Sequence, residues 1–146
     1  MSHTVGWREW VALPEFGVGA IKAKVDTGAA STSLHAFHLE RFTATGADMV
    51  RFEIHPRQRS ARSSVVVEAE IVDERSVRNP GGRSETRPVI LATLRWSDVT
   101  WRAEINLTRR DEMGFRMLLG RSSLRNRFLV DSGRSFLGGR PQGEDT

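Results

Sequence analysis

The residues with the plainest chemical capacity are Asp26, Thr27 and Gly28, which follow the run Gly19-Ala20-Ile21-Lys22-Ala23-Lys24-Val25. That run alternates small or branched apolar residues with lysines, the pattern of a half-buried strand. The Asp26 carboxylate therefore stands where a strand gives way to a loop. A carboxylate so placed can share a proton with a second one, so that one activates water and the other protonates the carbonyl oxygen of a peptide bond. Thr27 adds a hydroxyl suited to a local hydrogen bond. Gly28, lacking a Cβ, lets the backbone approach the carboxylate and a partner loop, and Ala29 follows as a substrate-side residue. Asp-Thr-Gly is also an ordinary turn tripeptide, so the surroundings must decide.

The chemistry needs a second carboxylate. Asp111 and Asp131 are the other plausible acids, and neither is followed by Thr-Gly; Asp131-Ser132-Gly133 comes nearest, after the strand-like Arg127-Phe128-Leu129-Val130. The second carboxylate is accordingly expected from Asp26 of another copy, across a twofold axis, with Thr27 tying the two loops together. Asp131 as a partner within the chain stays open as an alternative.

Stepping outward from Asp26, strand-like segments separated by turn residues run through most of the chain. Trp7 to Leu13 and Val18 to Val25 flank the turn Pro14-Glu15-Phe16-Gly17. Further strands are expected at Thr32 to Ala36, Val50 to Ile54, Ser64 to Val72, Pro88 to Leu94 and Val99 to Thr108, the last with Trp101, Ala103, Ile105 and Leu107 on one face. Phe37 to Phe42 reads as a brief helical turn, and Ser122 to Asn126 as a short helix. Asp73 to Arg87 forms a long polar hairpin with Asn79-Pro80-Gly81-Gly82 at its middle, a length and glycine content suited to a flap over a substrate. Arg78, Gly81, Gly82 and Arg83 are its substrate-binding candidates. The division is one domain over residues 1–137, with residues 138–146 as a disordered tail.

Composition sets the outer limits. The 146 residues suit one domain, and 38% hydrophobic with 27% charged residues is a globular balance. No apolar run approaches the roughly 20 residues that span a bilayer. There is no cysteine, and the N-terminus lacks the basic-then-apolar order of a signal peptide, so a cytoplasmic protein is expected. Of the 22 basic residues, Lys22 and Lys24 alone are lysines; the arginine excess behind the net charge of +4 suits partners bearing carboxylates or phosphates. A nucleic-acid partner is disfavoured, because the arginines are dispersed and no recognised motif interleaves them with aromatics.

The order of features carries a resemblance. A strand enters Asp-Thr-Gly-Ala, a glycine-tipped hairpin follows, then Met117-Leu118-Leu119-Gly120-Arg121 and a short helix. This arrangement resembles the retropepsin-like aspartic proteases. The stretches Ala20 to Ala29, Leu34-His35-Ala36, Arg87-Pro88-Val89-Ile90 and Met113 to Arg121 are similar to the small bacterial proteins labelled ATP-dependent zinc protease, often found beside a glutamate ligase that modifies a ribosomal protein. The likeness runs from about Trp7 to about Leu137. It implies a mainly β acid-protease half-barrel with a flap and one short C-terminal helix, working as a homodimer. Leu118, Leu119, Gly120 and Arg121 would support the catalytic loop. The family often has a basic residue where this chain has Ala30, a departure that touches loop contacts and specificity.

The family label mentions zinc and ATP, and the residues speak for neither. His3, His35, His38 and His55 are the histidines; His35 and His38 lie on a segment where a separation of three puts side chains on opposite strand faces. There is no His-Glu-x-x-His and no Gly-x-x-x-x-Gly-Lys phosphate loop. No cofactor or metal is expected. The expected substrate is a peptide or protein, with Arg75, Arg78, Arg83 and Arg87 of the hairpin suited to glutamate side chains; trimming a glutamate tail from a ribosomal protein would fit the ligase neighbour. The alternative is a catalytically silent module that binds an acidic protein through those arginines.

Overall fold

The computed structural model describes residues 3–57, 63–78, 81–109 and 114–140. Twelve strands and one short helix account for most of them. In chain order these are β1 (His3–Val5), β2 (Arg8–Leu13), β3 (Val18–Val25), β4 (Thr32–His35), β5 (Phe37–Ala44), β6 (Ala47–Ile54), β7 (Val65–Glu70), β8 (Asp73–Arg78), β9 (Ser84–Trp96), β10 (Val99–Thr108), β11 (Met117–Leu119), α1 (Arg121–Leu124) and β12 (Phe128–Val130).

Six strands close into a barrel-like sheet in the order β10-β4-β11-β3-β2-β9, and β9 pairs back to β10. This is the mainly β, retropepsin-like fold. Alternation drives it. On β10, Trp101, Ala103, Ile105 and Leu107 are buried between exposed Arg102 and Glu104, and they meet Ile21, Leu34, Ile90, Leu94, Met117 and Leu119 in one core. Closure removes the open edges that a six-stranded sheet would otherwise present.

The Asp26 loop hangs between β3 and β4, and β11 is threaded between those two strands. It runs parallel to β3 (Leu119 opposite Val25) and antiparallel to β4 (Leu118 opposite Ser33). β11 is three residues long and buried throughout, so its apolar run reads as an interior strand.

The structure corrects the helical turn expected at Phe37 to Phe42. β5 pairs with β6, and β6 with β7, as a separate three-stranded sheet. The pairing register shifts between Phe37 and Glu40, where His38 has a φ of 53°. This bulge puts Phe37, Leu39, Phe42 and Ala44 on the half-buried side. Their spacing of two, three and two residues imitates a helical period. The expected helix at Ser122 to Asn126 is α1 (Arg121–Leu124), and Asn126 lies beyond its end with a φ of 62°. Of the supposed tail, Gly138 packs on Trp96 and donates its amide to Glu9 Oε1 at 3.1 Å; residues 141–146 lie outside the described residues.

Candidate active site

Backbone bonds from β11 and α1 fix the Asp26 loop. The Asp26 amide donates to Leu119 O at 2.9 Å; the amides of Arg121 and Ser122 donate to Ala29 O and Ala30 O at 2.8 and 3.0 Å. The Arg121 guanidinium adds a bond to Thr27 O at 3.0 Å. Leu119, Gly120 and Arg121 thus touch the loop directly, while Leu118 lies in the β11 ladder beside Lys24 and Ser33.

Gly120 makes this close approach possible. A Cβ there would stand 2.6 Å from the Ser31 carbonyl carbon, closer still to its oxygen, and 2.9 Å from Ala29 O. Both obstacles are backbone, and neither can swing aside. Below them, Thr32 Oγ1 meets Ser123 Oγ at 2.8 Å and accepts the Gly120 amide at 3.3 Å, and Trp101 Nε1 donates to Ser123 Oγ at 3.3 Å.

Asp26 itself is half-buried, and its Oδ1 accepts the Gly28 amide at 2.9 Å. Thr27 and Gly28 are exposed, and Ala29 half-buried. A carboxylate steadied by a backbone amide, with its second oxygen available, is suited to hold or accept a proton from water. Asp131 makes a similar local turn, with Oδ1 accepting the Gly133 amide at 3.0 Å, but it is exposed and no hydrogen bond among the described residues joins it to Asp26. Asp111 lies outside the described residues.

The hairpin expected at residues 73–87 is an ordered ladder, β8 on β9, from Asp73 opposite Val89 to Arg78 opposite Ser84. Asn79 and Pro80 lie outside the described residues; Gly81, Gly82 and Arg83 are exposed at the tip, with Gly82 at a φ of 86°. The four arginines differ in kind. Arg87 is buried: Nε donates to Glu85 Oε1 at 2.7 Å, and another guanidinium nitrogen to Asn106 Oδ1 at 2.9 Å. Arg75 bridges Glu104 and Asp73 at 2.8 and 3.1 Å, and the bond to Glu104, helped by the one to Asp73, holds its pKa above the ordinary value. Arg78 and Arg83 are the exposed pair.

Sequence reasoning missed the network beneath the β8–β9 hairpin. Asn106 Nδ2 donates to Ser31 Oγ and Thr32 O, both at 3.0 Å, and Asn106 Oδ1 accepts from Ser33 Oγ at 2.9 Å. The Asp26 loop, β10 and the base of the β8–β9 hairpin are thereby joined through fully buried Asn106. Alternation along β10 places Asn106 outward with Glu104, so no sequence period marks it. A second omission is Glu9, also fully buried. Its two oxygens accept the Gly6 and Leu137 amides at 2.7 and 2.9 Å, Trp96 Nε1 at 2.9 Å and the Gly138 amide.

The histidines do not converge. His35 stacks on Phe37 at 4.0 Å between ring centroids, and Phe37 on His55 at 3.6 Å, while His38 is exposed. Among the described residues no three His, Asp or Glu side chains are grouped as metal ligands would be.

A mostly antiparallel closed barrel with an Asp-Thr-Gly loop cradled by an apolar-apolar-Gly-Arg strand defines the retropepsin-like class. The chain belongs to the RimB-like family, described as retropepsin-like aspartic endopeptidase RimB, which it matches over residues 4–141. It is also 43% identical over 132 residues to a probable alpha-L-glutamate ligase of Shewanella pealeana and 46% identical over 127 residues to one of Parasynechococcus marenigrum. Those matches take in 90% and 87% of this chain but 29% and 27% of the two relatives. A solved structure from Legionella pneumophila, of a protein of unknown function, superposes with a TM-score of 0.77 at 27% identity, over 94% of this chain and 99% of that one.

Proposed function

We propose that this protein is an aspartic endopeptidase that works as a twofold homodimer in the cytoplasm, with Asp26 of each copy supplying half of the catalytic carboxylate pair. The observation that carries the reading is the Asp26 loop itself: one half-buried carboxylate, steadied by Gly28 and cradled by Leu119, Gly120 and Arg121. One Asp26 is ionised and takes a proton from water; the other, protonated, donates to the carbonyl oxygen as the tetrahedral intermediate forms. Like charges at such short range cannot both ionise, so the pair holds one proton between them. The β8–β9 hairpin closes over an extended peptide, with Gly81, Gly82, Arg78 and Arg83 at its tip.

The substrate proposed is a glutamate-rich tail on a ribosomal protein. Two curated relatives are named as glutamate ligases and contain a segment similar to this chain, which supports a link between adding and removing glutamate. The test is Asp26→Asn in the full chain, assayed on oligo-glutamate and generic peptides. Complete loss of cleavage with unchanged folding is expected. Residual cleavage by Asp26→Asn would overturn the mechanism. No cleavage by the wild-type protein, with binding of acidic protein intact in both, would favour a silent binding module instead.

A further inference from the structure

We infer that the outward face of β2 and β3 is a docking track for the acidic segment of a peptide, leading along β3 to Asp26. This rests on the proposed peptidase reading but moves substrate recognition away from the flap. The placement follows from strand geometry. Side chains two apart on a strand share a face, so Lys22 and Lys24 line one side of β3, and Asp26 follows Val25 where the strand gives way to its loop. Arg8 lies opposite Lys24, and Trp10 opposite Lys22, in the antiparallel register, so they share that face.

The segment after β12 completes the surface. Phe136 stacks on Trp10 at 5.6 Å. The Arg8 guanidinium lies over both Trp7 and Phe136, at 4.6 and 4.8 Å from their ring centroids. Arg140 lies 4.4 Å from the Trp10 centroid, and the Lys22 ammonium 5.5 Å from it.

Two observations point to a carboxylate-bearing occupant. First, Arg41, Arg51, Arg75, Arg87 and Arg102 each contact a carboxylate elsewhere on the molecule. Arg8, Lys22, Lys24 and Arg140 form no ion pair among the described residues; Arg95 and Arg125 elsewhere form none either, but here four such cations come together beside the aromatic cluster of Trp7, Trp10 and Phe136. Second, the cations lie over the rings. Arg8 is held there by a bond from Nε to Ser135 Oγ at 3.2 Å, which leaves its two terminal nitrogens to meet a carboxylate. The same stacking occupies the ring faces that an unpaired nucleobase would use, which disfavours single-stranded nucleic acid. The flap offers less, since Arg75 and Arg87 already hold carboxylates of this chain.

The experiment measures binding of dye-labelled hexaglutamate to the full chain carrying Asp26→Asn, so that turnover plays no part. Lys22→Gln with Arg140→Gln should weaken binding about tenfold or more and flatten its dependence on salt. A charge-matched control, Arg51→Gln with Arg125→Gln, should leave it unchanged. Equal affinity in the track double variant and its parent would overturn the inference, as would tighter binding of a single-stranded oligonucleotide than of hexaglutamate. Thermal melts of both double variants guard against a folding artefact. Hexaglutamate binding that depends on the track in a protein that cleaves nothing would sustain this inference while removing the peptidase reading. Cleavage of neutral peptides, with hexaglutamate binding indifferent to the track, would do the reverse.

Discussion

Two buried residues show how much of the site's precision rests on single atoms. Gly120 is required by the backbone of Ser31 and Ala29, which leaves no room for a methyl group. Gly120→Ala is expected to cost roughly 1–3 kcal/mol through forced backbone movement, and to lower activity further because the movement falls on the Asp26 loop. Urea melts read the first effect and initial rates the second; unchanged rates would show that the cradle does not position Asp26. Glu9 is different in kind. Its carboxylate accepts four N–H groups, and the amide of a glutamine would face some of them donor to donor. Glu9→Gln should therefore destabilise by at least about 2 kcal/mol, checked by the same melts. The sequence announces Gly120 through its motif. It hides Glu9, because a charged residue on an alternating strand reads as a solvent-facing one, and three of its four partners lie 87 to 129 positions away.

Among the elements, the β8–β9 hairpin proposed as the flap is held from outside its own ladder. Its ladder starts at Asp73, and β5 reaches across to it: Arg41 grips Glu74 with its two terminal guanidinium nitrogens, one at 3.1 Å. The hydrogen bond that Arg41 donates to Glu74 lowers the Glu74 pKa and raises that of Arg41. Glu74 folded thus ionises at lower pH than Glu74 unfolded. Its contribution is present above the ordinary carboxylate value of 4.5 and is lost as pH falls through the depressed one. The pair is exposed, so it is worth about 0–1 kcal/mol. Arg41→Gln should accordingly leave the melting temperature nearly unchanged while speeding amide exchange along β8 at neutral pH. Equal exchange in variant and wild type would mean that β5 does not brace the flap. Of this bracing sheet, β6 and β7 were legible in the sequence and β5 was not. The barrel strands alternate cleanly and show themselves, as Val18–Val25 and Val99–Thr108 do. β5 does not, because the bulge at His38 breaks its period into one that mimics a helix.

At the scale of the whole molecule, the proposed mechanism makes the Asp26 loop half of a site. One carboxylate cannot both activate water and protonate the carbonyl, so the proposed mechanism stands or falls with a second copy. The terminal strands bear on where that copy docks. β1 and β12 pair in parallel within the chain, as a two-stranded ribbon separate from the barrel sheet, and Leu129 on β12 is 62% exposed. A two-stranded ribbon is marginal alone and leaves open edges. Twofold addition of the same ribbon from a partner would fill those edges and cover Leu129. Leu129→Asp should then shift the protein toward monomer in sedimentation and lower activity in proportion to the dimer lost, while the melt of the monomer stays close to that of the wild type. Activity that survives in a protein sedimenting as monomer at high micromolar concentration would remove the paired-Asp26 mechanism and bring Asp131 back as the carboxylate to test.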